Sequence, residues 1–132
     1  MLRQALVFLV LSAGSVAHAE DCLVGSSEVL KLRDWGVTVT SDSRYDLTIS
    51  FEYSGQKPLR MVDANLNAFD TLGNGLTGGA IDPDQSLAPG DTGEQTWTFA
   101  GDARIARIAR EDVVARVCTK AVVYADGSKD SF

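Results

Sequence analysis

From Tyr45 to Tyr53 the chain alternates without a break. Tyr45, Leu47, Ile49, Phe51 and Tyr53 are large and apolar, and Asp46, Thr48, Ser50 and Glu52 between them are polar. A period of two sends the two sets to opposite sides of an extended backbone, which predicts a half-buried β-strand. Ser54, Gly55 and Pro58 then supply turn chemistry, and a second period-two run places Val62, Ala64, Leu66 and Ala68 on one face. Together the two runs predict a hairpin to which the other strands are added. Residues 28–40 read as a strand with a break at Asp34 to Gly36, its second half carrying Trp35, Val37 and Val39 in alternation.

Beyond Asp70, the stretch Thr71-Leu72-Gly73-Asn74-Gly75 has the glycines and asparagine that accept a tight turn. Residues 76–93 are rich in Gly, Pro, Asp and Ser and read as a long surface loop, with a short strand within Leu76 to Ile81. Gln95 to Phe99 reads as a strand with Trp97 and Phe99 on one side. Ile105 and Ile108 repeat at three, as do Arg104, Arg107 and Arg110, so this part reads as a helical crossing with Asp102 as its N-cap. Val113 to Tyr124 predicts a strand with Val113, Ala115, Val117, Ala121 and Val123 on one face and Cys118 on the other. Asp126-Gly127 predicts a hairpin turn into a short last strand. About seven short strands with one helical turn predict an all-β fold, an immunoglobulin-like two-sheet β-sandwich. Trp35, Phe51, Tyr53, Trp97 and Phe99 are its expected core aromatics.

The hairpin, its closing Leu66-Asn67-Ala68-Phe69-Asp70, the Leu72-Gly73-Asn74 turn and Leu87-Ala88-Pro89-Gly90-Asp91 together resemble the FxLYD type of bacterial envelope domain. The likeness spans roughly residues 45–99; Ala68 stands where that pattern has Leu, and Phe69 replaces its Tyr. It implies a small exported β-sandwich and carries over no catalytic residue.

The first residues change the picture from fold to compartment. Met-Leu-Arg-Gln, an apolar run from Ala5 to Leu11 and then Ala17-His18-Ala19 have the order of a cleaved secretory signal over residues 1–19. The apolar run is too short for a bilayer, which takes about 20 residues, so no membrane insertion is expected. Residues 20–132 then form one β-sandwich domain, periplasmic or secreted. Cys22 and Cys118, the only cysteines, are expected to pair in that oxidising compartment. The bridge closes a loop of about 97 residues, for which chain entropy predicts roughly 4–5 kcal/mol.

The chain carries a net charge of −6, which opposes nucleic acid and anionic membrane surfaces as partners. Its one histidine, His18, lies in the leader, so the mature chain has no imidazole for a nucleophile pair or a common metal site. No enzyme and no cofactor is expected. Asp63, Asn65 and Asn67 share a strand face and are weak candidates for calcium, with Asp70, Asp82 or Asp84 as further ligands. Strand residues two apart stand ~6–7 Å apart, which favours a plain solvated face. Arg104, Arg107 and Arg110 form a basic stripe able to receive an acidic partner segment, unless it is only a solvated turn balanced by Asp102, Glu111 and Asp112. The expected function is a non-catalytic interaction or assembly module for another envelope protein or peptide segment, its sheet edges open to strand addition. The alternative is a small periplasmic inhibitor of a lysozyme or protease, with the loop from Thr77 to Gly93 or the arginines as its plug.

Overall fold

In the computed structural model, residues 22–132 are described, so the leader expected over residues 1–19 lies outside them. Seven strands follow in order: β1 Leu30–Ser41, β2 Arg44–Tyr53, β3 Leu59–Asp70, β4 Gly75–Ala80, β5 Thr92–Ala100, β6 Val113–Tyr124 and β7 Lys129–Ser131. They form two antiparallel sheets, β1-β2-β5 and β4-β3-β6-β7. Between β5 and β6 lie one helical turn, α1 Arg104–Arg107, and a 3-10 turn at Arg110–Asp112. The all-β two-sheet sandwich expected from the alternation is what forms.

The central hairpin does not. β2 belongs to the first sheet and β3 to the second, so the two alternating runs meet face to face instead of edge to edge. Tyr45, Leu47, Ile49, Phe51 and Tyr53 of β2 share one buried cluster with Val62, Ala64, Leu66 and Ala68 of β3. Ser54 to Pro58 arches between the sheets, held by the Tyr53 hydroxyl, which donates to the Lys57 carbonyl at 2.6 Å. Both strands have one strongly apolar face, and only packing the faces together dries both.

Two bulges correct the phase of β1 and β6. Arg33 interrupts the β1–β2 register, so Leu30 and Leu32 lie before the slip, and Trp35 and Val37 after it, on the inward side. The break expected at Asp34 to Gly36 is not there: those residues pair with Ser50, Ile49 and Thr48, and the irregularity is the single unpaired Arg33 before them. In β6, Ala64 pairs with Thr119 while Asp63 pairs with Ala121, leaving Lys120 as the extra residue. The core face therefore runs Val117, Thr119, Val122, and Val122 is only 2% exposed. The expectation that Ala121 and Val123 share the face of Val117 fails beyond that bulge.

The long loop is also shorter than expected. β4 takes Gly75 to Ala80, β5 starts at Thr92, and the remaining connection is pinned at several points. Ile81 and Leu87 are buried, Leu87 exchanges both backbone hydrogen bonds with Leu59, and the Pro83 carbonyl accepts from the Val62 N–H. Of the aromatic residues expected in the core, Phe51 and Tyr53 are fully buried, whereas Trp35, Trp97 and Phe99 are half-buried at its margin.

Candidate functional site

The arginines at 104, 107 and 110 do not form a stripe. α1 is a single turn, its N-cap is Ala103 without a side-chain bond, and the backbone is extended again by Ile108. Asp102 does not cap; it forks onto both terminal nitrogens of Arg107. Arg104 reaches Asp70 at 2.8 Å, and Arg110 reaches Asp34 at 2.7 Å while its guanidinium lies 4.0 Å over the Trp35 ring. Three cations thus meet three different carboxylates, two of them far away in sequence. Arg110 also donates to the Trp35 carbonyl at 2.8 Å, which takes up one main-chain acceptor of the edge strand β1.

Asp70 is unavailable as a metal ligand. It is 5% exposed, and its carboxylate accepts from Arg104, from the Leu72 and Asn74 N–H groups and from the Asn74 side chain. The Arg104 guanidinium, then the Asn74 N–H, hold its pKa down at about 2. Asp82 accepts from the Asp84 N–H and so shapes its own turn. Asp63, Asn65 and Asn67 do share the outward face of β3, opposite the buried Val62, Ala64, Leu66 and Ala68. Among the described residues no three His, Cys, Asp or Glu side chains converge.

Asn65 and Asn67 instead line a groove of about 580 Å³ on the outer face of the second sheet. Its floor is β3 and β6, where Asn65 pairs with Cys118 and Asn67 with Arg116. Gly78 of β4 pairs with Asn67 and leaves that flank without a side chain. Leu23 and Val24 form the opposite lip. They are held there at two points: the Cys22–Cys118 disulfide, with Cα atoms 5.8 Å apart, and a two-bond bridge between Ser26 and Thr119. Cys118 points outward from the strand as expected, and the segment laid over it leaves it 5% exposed. Gly25 is needed in that segment, because its φ is +90° and an added Cβ would lie 2.5 Å from the Thr119 carbonyl oxygen.

Fixing the segment this way turns two apolar side chains outward. Leu23 is 98% exposed and Val24 63% exposed, with the cationic Arg116 and Lys120 as near neighbours around the groove. Arg116 stacks its guanidinium over Phe69 at 5.2 Å. Its Nε and Nη1 are shut off from solvent and have no hydrogen-bond partner among the described residues. An unmet buried donor costs about 1–3 kcal/mol, more when charged, and the part of the guanidinium that faces the groove is Nη2. Of the groove residues, Leu23, Val24, Arg116 and Lys120 were not singled out as functional in the sequence. The readable signal was Leu23-Val24 immediately after a cysteine in an otherwise polar segment.

At one end of the sandwich a polar cluster closes the β6–β7 turn. Lys57 bonds Ser128 at 2.7 Å and covers the Tyr124 ring at 4.3 Å, and the Tyr124 hydroxyl donates to Asp130 at 2.5 Å. That bond, with some burial, pushes the Tyr124 pKa up to about 12. Every member is satisfied within the cluster, which reads as a structural clasp. Among the described residues no helix is long and apolar enough to cross a membrane. No protein-family model, no curated protein and no solved structure matches the chain.

Proposed function

We propose that the chain is a non-catalytic interaction module of the bacterial envelope, exported to the periplasm or secreted, which holds another envelope protein or peptide segment in the groove over β3 and β6. One observation carries this reading: Leu23 and Val24 are exposed on a segment that a disulfide and a backbone bridge already hold in place. Burying an apolar side chain of this size on a partner is worth about 1.5–3 kcal/mol. A segment ordered before binding loses little conformational entropy on binding, so more of that gain remains as affinity. The disulfide itself fits an oxidising compartment.

The inhibitor alternative draws no comparable support. The connection from Ile81 to Asp91 is tied to β2 and β3, and Arg104, Arg107 and Arg110 are each paired within the chain. Kinship with FxLYD-type domains remains part of the proposal, supported by the structural use of the residues concerned. Asp70 closes the β3–β4 turn, and Leu87 to Asp91 folds back onto Leu59 and Tyr53.

A photo-crosslinking residue at position 24, compared with one at Thr48 on the outer face of the other sheet, tests the proposal in cells that export the chain. Discrete adducts from position 24 that disappear with Leu23→Ser support it. Equal adducts from both positions, no adducts, or stoichiometric inhibition of a lysozyme or protease panel overturn it.

A further inference from the structure

We infer that the groove is a site for an acidic peptide segment: Arg116, with Lys120 beside it, takes a carboxylate, and an apolar neighbour in the same segment rests on Leu23 and Val24. The inference builds on the groove proposed above and specifies the chemistry of its occupant. In a chain of net charge −6, the charged residues lining this groove among the described residues are Arg116 and Lys120, with no acid among them. The other concavities described contain carboxylates: Asp34 and Glu94 in one, Asp63 in another, Glu28 and Asp130 in a third, Asp42 and Asp102 in a fourth.

Arg116 differs from six other described cations, although Arg44, Arg60, Lys120 and Lys129 are likewise without an ion pair among the described residues. Lys31, Arg33, Lys57, Arg104, Arg107 and Arg110 each have a carboxylate within ion-pair distance. Among the described residues Arg116 has none, nor any acceptor for its buried Nε and Nη1. Those two nitrogens are closed to a docking ligand as they are to water, so a carboxylate in the groove meets the remaining Nη2 of the guanidinium, which lies over the Phe69 ring, and the exposed Lys120 ammonium. Asn65 and Asn67 stand two residues apart on the same floor, the spacing at which side-chain amides meet an extended backbone. The occupant is therefore an extended segment that alternates acidic and apolar side chains.

Titration of the isotope-labelled protein with acetyl-Leu-Asp-Leu-Glu-Leu-Glu-amide, and with its Asn/Gln counterpart, tests this by amide chemical shifts. Saturable shifts at Asn65, Asn67, Arg116 and Lys120 are expected with the acidic peptide. The Asn/Gln peptide, or Arg116→Gln, should weaken binding roughly tenfold or more. Asn67→Asp provides a check independent of Arg116→Gln folding well, because it places a carboxylate across from Arg116. That variant should gain Tm and lose the peptide. Equal affinity for both peptides, or shifts outside the groove, overturn the inference. So does binding that appears only once Glu20 and Asp21 are replaced by Gln and Asn, since the groove would then serve the chain's own acids. A partner crosslinked at position 24 whose binding ignores Arg116→Gln sinks this inference and leaves the groove reading standing.

Discussion

Asp70 ends β3 with four hydrogen bonds to its carboxylate, two from backbone N–H groups, one from Asn74 and one from Arg104. Its folded pKa of about 2 lies below the value of about 3.9 expected in the unfolded chain. A depressed folded pKa contributes stability above the unfolded pKa, and that contribution disappears as pH falls through the folded one. Thermal melts of Asp70→Asn should therefore show a Tm below wild type at pH 6, with the gap closing between about pH 4 and about pH 2. A gap that stayed constant down to pH 2 would refute the assignment of that stability to the Asp70 carboxylate. Asp70 was visible in the sequence as the residue before a turn, but its partner was not. Arg104 is 34 positions away, and side-chain distance across a fold leaves no trace in local periodicity.

At the level of elements, alternation located every strand but could not count bulges. A single extra residue, Lys120, inverts which side of β6 faces the core from there on. The consequence is sharp for two adjacent valines. Val122→Ala should cost about 2 kcal/mol, because it empties a packed site between the sheets. Val123→Ala, on the other face, should cost under about 0.5 kcal/mol. Urea unfolding of both variants decides it, and the reverse order would mean that the bulge is absent in solution. The arginine repeat failed for a related reason. A spacing of three implies one face only while a helix persists, and α1 stops after one turn, so Arg104, Arg107 and Arg110 point to separate acids.

For the molecule as a whole, the Cys22–Cys118 disulfide ties the start of the described chain to the outer face of the second sheet over a separation of 96 residues. A loop that long constrains the unfolded chain strongly, and Cys22→Ser/Cys118→Ser should lower stability by roughly 2–5 kcal/mol. The same variant should release Leu23 and Val24 from the groove lip, so acidic-peptide affinity should fall along with the urea midpoint. An unchanged midpoint would show that the crosslink contributes nothing to the fold. From the sequence alone came the strand content, the turns at Thr71 to Gly75 and Asp126-Gly127, the pairing of the two cysteines and the sandwich class. Each follows from local chemistry: the side-chain period, the positive φ that glycine tolerates, or the simple count of thiols. Tertiary structure alone decided that β2 and β3 lie in opposite sheets, that Lys120 is a bulge and that Arg116, without an ion pair among the described residues, lies beside an exposed apolar lip. Those outcomes depend on which faces exclude water together and which side chains then meet across the fold, and neither is encoded within any single stretch of chain.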